Sequence, residues 1–121
     1  MNPITIELPI PAKELSPNSR AHWRVKHKHF QEHKHLALLA AIQHKPDRPY
    51  KAAAYRIYFR LKRKQDYDNF HAMCKAYLDG IQAARIVEND SELRPMGMER
   101  CVALLGPHFV RISIWPEGED D

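Results

Sequence analysis

Cysteine is scarce in this chain. Cys74 and Cys101 are the only two, with no Cys-x-x-Cys pair or Cys/His finger spacing around them. A disulfide scaffold and a zinc finger are therefore not expected. Each cysteine lies inside an apolar pattern, which predicts buried, reduced thiols in a cytoplasmic protein. No apolar run approaches the ~20 residues that a membrane span needs, so no membrane association is expected. The first residues lack a charged segment followed by an apolar run, and a signal peptide is not expected either. Internal repeats and low-complexity linkers are also missing. At 121 residues the expectation is one domain over 1–121, large enough for a modest core without staples.

Charge is abundant and unevenly placed. Hydrophobic residues at 44% and charged residues at 28% fit a soluble globular protein. Four acids, Glu117, Glu119, Asp120 and Asp121, crowd the last five positions and read as a solvated, disordered tail. Removing those four charges from the net +4 leaves the body at +8. A basic body favours a polyanionic partner.

Ile4 to Leu8 alternates apolar and polar, the period of a half-buried strand, and Pro9 and Pro11 end it. Ser16-Pro17 reads as a helix start, since proline is tolerated at the first helical position. From about Ser19 to Gln43 the pattern predicts one long helix, ended by Lys45-Pro46. Its second half, Leu36 to Ile42, is nearly all Ala, Leu and Ile and is expected to be packed. Its first half carries Arg20, His22, Arg24, Lys26, His27, Lys28, His29, His33, Lys34 and His35, a basic ridge suited to phosphates. His29 and His33 have an i,i+4 spacing that zinc can bridge. No His-Glu-x-x-His arrangement or cysteine pair accompanies them, so a partly protonatable basic surface is the stronger reading.

Ala53 to Lys62 gives the clearest strand, with Ala53, Tyr55, Ile57, Phe59 and Leu61 alternating with Arg56, Tyr58, Arg60 and Lys62. It delivers the chain to Gln65-Asp66-Tyr67-Asp68-Asn69, just after the basic run Arg60, Lys62, Arg63 and Lys64. Two aspartates there repel each other and the phosphates that the run attracts. A divalent cation held by hard oxygen ligands would resolve the conflict. Helix capping would need only one of the two. Phe70, Met73, Cys74, Tyr77, Leu78 and Ile81 then form one apolar stripe, predicting a single helix to about Ala84. Its polar side carries Asp68, His71, Lys75, Asp79 and Gln82, so Lys75 is expected on the side of Asp68, about two turns along. Glu88-Asn89-Asp90-Ser91 follows Ile86-Val87, as if the chain re-enters the core and turns out again. Glu99–Leu105 and His108–Trp115, joined through Gly106-Pro107, read as an antiparallel hairpin. The fold class is thus α+β: a mixed sheet of about four strands with two main helices packed against it.

Several of these elements together resemble the RusA-type Holliday junction resolvase family. Leu8-Pro9-Ile10-Pro11, Ser16-Pro17-Asn18 with the basic helix, Asp66-Tyr67-Asp68-Asn69, Lys75 and Asn89-Asp90-Ser91 carry the likeness, in the family's order and across most of the chain. The resemblance implies a homodimer that resolves four-way DNA junctions by paired nicks, in recombination and repair, using Mg²⁺ or Mn²⁺. It implies metal-binding roles for Asp66, Asp68 and Asp90 and a catalytic role for Lys75. DNA contacts are expected from Arg20, Arg24, Lys26, Lys28, Arg60, Lys62, Arg63 and Lys64. The family pattern has a lysine four residues after the second aspartate, where this chain has Ala72; His71 is the alternative to Lys75. The other function class open to this sequence is a nucleic-acid-binding accessory protein of the same fold that does not cut.

Overall fold

A computed structural model of the chain describes residues 3–61, 67–101 and 108–117. The elements run β1 (Ile4–Leu8), a 3-10 turn (Lys13–Leu15), α1 (Trp23–Ile42), β2 (Ala53–Arg60), α2 (Tyr67–Met73), α3 (Lys75–Ala83), a second 3-10 turn (Asp90–Glu92), β3 (Leu93–Arg100) and β4 (Phe109–Pro116). The four strands form one mixed sheet in the order β1-β4-β2-β3. The α+β architecture expected from the sequence is the one observed.

Alternation decides how the sheet is covered. Ile4, Ile6 and Leu8 pair with Ile114, Ile112 and Val110, which pair in turn with Tyr55, Ile57 and Phe59. Paired residues share a face, so three strands present one continuous apolar surface. The helices bury it. Phe70 of α2 packs on Phe59 with ring centroids 4.4 Å apart, and Tyr77 and Ile81 of α3 are fully buried in the same core. The other face bears Arg56, Tyr58 and Arg60 on β2 beside Ser113, Arg111 and Phe109 on β4. Arg56 lies over the Tyr58 ring and Arg111 over Phe109.

Four features depart from the sequence-based expectation. β3 and β4 are not a hairpin. β2 lies between them, paired antiparallel with β4 and parallel with β3. The expected strand Glu99–Leu105 is displaced to Leu93–Arg100, with Val102 and Leu104 outside the described residues. β4, apolar at every second residue, is wanted between two apolar-alternating strands. β3, largely exposed and containing Pro95, suits an edge, where a missing N–H is tolerated. Its register slips between Tyr55 and Ile57 of β2, where Met96 and Gly97 oppose Arg56 alone, and Gly97 takes φ 103°. That is a β-bulge with glycine at the residue that needs a positive φ.

The second departure concerns the helix after Asp68, which is two helices. Cys74 interrupts them with a turn at φ −84°, ψ −1°, and its N–H is shared between the carbonyls of Phe70 and His71. Third, α1 begins at Trp23, later than expected. Ser16 and Ser19 instead fold the preceding loop, accepting the N–H groups of Asn18 and Ala21. His22 caps the helix, its Nδ1 accepting the Arg24 N–H at 3.1 Å.

Fourth, the apolar second half of α1 is packed on one side only. Ala37 and Ala41 are fully buried, while Leu36, Leu39 and Ile42 are 43–50% exposed. The buried side meets α3 at Gly80, where an added Cβ would stand 2.3 Å from the Lys34 carbonyl oxygen and 2.9 Å from Ala37 Cβ. Small residues there let the two backbones approach. Among the described residues, no helix is long and apolar enough to cross a membrane.

Candidate functional site

The two N-terminal motifs are tied to the helices. Pro9 of Leu8-Pro9-Ile10-Pro11 accepts the Tyr77 hydroxyl at 2.6 Å, and the Ala12 N–H donates to His33 Nε2 at 3.1 Å. Ser16 donates from Oγ to Asn69 Oδ1 at 3.1 Å, so Ser16-Pro17-Asn18 touches the Asp68-Asn69 turn 53 positions later. Asp68 is exposed at the start of α2. Asp66, with Lys62, Arg63 and Lys64, lies outside the described residues.

Asp90 is elsewhere. β3 runs parallel to β2, with Leu93 beside Ala53 and Arg100 beside Phe59. Asp90, three residues before Leu93, therefore sits at the end of the sheet where β2 begins, whereas Asp68 follows the end where β2 finishes. The eight residues of β2 separate those ends by about 23 Å at ~3.3 Å per residue. Asn89 folds the Asp90 turn, its Oδ1 accepting from the Ser91 N–H and Oγ–H. The apolar pair before this turn does re-enter the core: Ile86 and Val87 are buried, and Val87 bridges Tyr50. Among the described residues no three His, Cys, Asp or Glu side chains are grouped to hold a metal. Asp68 and Asp90 of one chain are therefore too far apart to share an ion. The donor chemistry of Asp66 and Asp68 suits a hard cation.

Lys75 and His71 do not project together, although one unbroken helix would have placed them about 40° apart. His71 turns to β2, where its Nε2 lies 3.0 Å from the Tyr55 hydroxyl and its ring stacks on Tyr55. Lys75 turns to α1. Its Nζ stands 6.0 Å from the Phe30 ring centroid and 3.3 Å from both carboxylate oxygens of Asp79. The break at Cys74 separates them.

The basic half of α1 divides by the same geometry. Arg24 and Lys28, one turn apart, are exposed, and Arg24 lies over the Trp23 ring. Lys26 and Phe30 face the other way and line a cleft of about 360 Å³ with Leu15, Ser16, Pro17, His27, Ala72, Met73 and Lys75. Ala72 is one turn beyond Asp68 and Lys75 nearly another, so the cleft opens beside Asp68. Sequence reasoning missed this cleft. Its only sequence signal was the i,i+4 pair Lys26 and Phe30. Arg20 is exposed in the loop before α1, and Arg60 lies on the uncovered face of the sheet, opposite Phe109.

Zinc between His29 and His33 loses its second ligand, because His33 Nε2 already accepts the Ala12 N–H. Burial lowers the His33 pKa, opposed by the His29 carbonyl and Glu32. His29 is paired with Glu14 at 3.8 Å instead. Cys74 is fully buried, and burial pushes its thiol up to about 12. Cys101 is only half-buried, short of the full burial its sequence context suggests. Glu117, expected in a disordered tail, is held by a two-point pairing with Arg94 and by its N–H to the Ala52 carbonyl; residues 118–121 lie outside the described residues. No protein-family model matches the chain, and no curated protein matches it.

Proposed function

We propose that the protein is a divalent-metal-dependent DNA endonuclease of the cytoplasm that acts on four-way junctions as a homodimer. The observation that carries this reading is the Ser16–Asn69 contact. It joins the Ser16-Pro17-Asn18 loop to the Asp68-Asn69 turn, and the Lys26 side of α1 lines the adjoining cleft. Asp68, able to bind a hard cation, then stands near cations able to bind phosphate. A bound divalent ion would lower the pKa of a water and polarise the phosphodiester.

The separation of Asp90 from Asp68 would give a dimer a chemical purpose. If all three carboxylates serve one ion, Asp90 has to come from a second copy. Incubation of the protein with a synthetic four-way junction and Mg²⁺, against linear duplex of the same sequence, tests the reading. Paired nicks in the junction alone are expected. Asp68→Asn should lower the nicking rate by ~10²-fold or more while junction binding persists, because an amide oxygen is a poorer ligand for a hard cation. Nicking by Asp68→Asn at the wild-type rate in saturating Mg²⁺ would refute the metal assignment.

A second reading, a non-cutting DNA-binding accessory protein, is favoured by the ion pair of Lys75 with Asp79, which occupies the expected catalytic lysine. It predicts junction binding with no nicking by the wild-type chain at any Mg²⁺ or Mn²⁺ concentration.

A further inference from the structure

The geometry points to a nucleotide subsite: we infer that the cleft between the 15–17 loop, α1 and the α2–α3 pair takes one unpaired nucleotide of a bound DNA strand. This inference rests on DNA being the ligand, as proposed above, and deepens that reading by naming where a base leaves the helical stack.

Three features of the cleft argue for it. Much of its lining is apolar and includes one phenyl ring: Phe30, Met73, Leu15 and Pro17, with the small Ala72 leaving room. An aromatic side chain in a concave site offers a base a stacking partner regardless of its identity. Its lining also carries cations. Lys26 and Lys75 line it and no carboxylate does, among the described residues, so a phosphate joined to the base meets positive charge. Its volume, about 360 Å³, lies in the range of small-molecule sites, roughly 300–1,000 Å³. That is too small for stacked base pairs and suited to one nucleotide.

Lys75 Nζ stands over the Phe30 ring and 3.3 Å from Asp79. An entering base would take its place on the ring, and the ammonium, on a flexible exposed stem, would move from Asp79 to the incoming phosphate. The cleft begins one helical turn from Asp68, so an extruded nucleotide there would lie next to a phosphodiester presented to Asp68. Lys75 on this view is a substrate-positioning residue for a flanking nucleotide.

The test uses the full chain and deoxyadenosine 5′-monophosphate, followed by NMR at the Met73 methyl and Phe30 ring. Deoxyadenosine and inorganic phosphate serve as separate probes. The monophosphate should shift both signals, and each half alone should bind at least ~10-fold more weakly. Lys26→Ala with Lys75→Ala should weaken monophosphate binding by ~10-fold or more. Ala72→Trp fills the cleft from an exposed position, so the fold should survive, as the spectrum itself will report, and binding should disappear. Monophosphate binding that leaves Phe30 and Met73 unmoved, or that Ala72→Trp leaves intact, overturns the subsite. Junction nicking measured on the same proteins keeps the two readings apart. A chain that binds the monophosphate in the cleft but never nicks keeps the subsite and loses the endonuclease. A chain whose Ala72→Trp variant nicks at the wild-type rate keeps the endonuclease and loses the subsite.

Discussion

His33 sits half-buried between the N-terminal segment and the helices. Its ring accepts the Ala12 N–H and stacks on Tyr77 at 5.3 Å, and Tyr77 in turn donates to Pro9. A proton on Nε2 would break the Ala12 bond, so the folded state prefers the neutral ring. That agrees with a pKa held below the ordinary 6.5, chiefly by burial. A histidine whose folded pKa is lowered takes up its proton first in the unfolded chain. The stabilisation is therefore complete above about pH 6.5 and is lost as pH falls from there towards the lower folded value. Urea midpoints measured from roughly pH 7.5 down to pH 5 should decline more for wild type than for His33→Gln, which can accept the same N–H without titrating. Equal declines in the two proteins would remove His33 from this role.

At the scale of elements, the α1–α3 contact is the joint on which the helical layer depends. Gly80 lies against the Lys34 carbonyl, a backbone atom that cannot swing aside. Gly80→Ala should destabilise the protein by about 2–3 kcal/mol, the upper part of the usual overpacking cost, although alanine is the better helix former. A denaturation midpoint equal to wild type would show that the helices can part without cost. The break at Cys74 matters equally for the site, because it turns Lys75 to α1 and leaves His71 on Tyr55. Substituting either residue thus probes a different surface: Lys75 the cleft, His71 the contact with β2.

For the molecule as a whole, the parallel pairing of β2 with β3 has the largest consequence. A right-handed crossover is the usual way to join parallel strands, and α2–α3 supplies the connection here. The crossover carries the chain back along the sheet, so Asp68 and Asp90 finish at opposite ends. A dimer in which each ion takes Asp68 from one copy and Asp90 from the other makes a specific prediction. Asp68→Asn and Asp90→Asn proteins, each inactive alone, should regain junction nicking when unfolded together and refolded as mixed dimers, because one of the two sites is then intact. Mixtures as inactive as either parent would show that the site does not span two copies.

Much of the fold was legible in the sequence because its signals are local. Alternation over Ile4–Leu8 and Ala53–Arg60 needs only neighbouring residues to be read, and so does the three-and-four spacing from Phe70 to Ile81. The strand identities and the apolar faces of these segments follow from periodicity alone. Strand order does not. Whether β4 pairs with β3 or inserts between β1 and β2 depends on contacts separated by up to the whole length of the chain, and the Gly106-Pro107 turn signal pointed to the wrong partner. The helix break at Cys74 was hidden for a related reason: a single shared N–H shifts direction without disturbing the apolar spacing. The sequence by itself determined which side chains offer carboxylate oxygens and which offer positive charge. Only the tertiary structure decided their company, placing Lys75 with Lys26 and Phe30 and sending Asp90 to the far end of the sheet, because proximity across a parallel crossover is set by chain path and not by spacing.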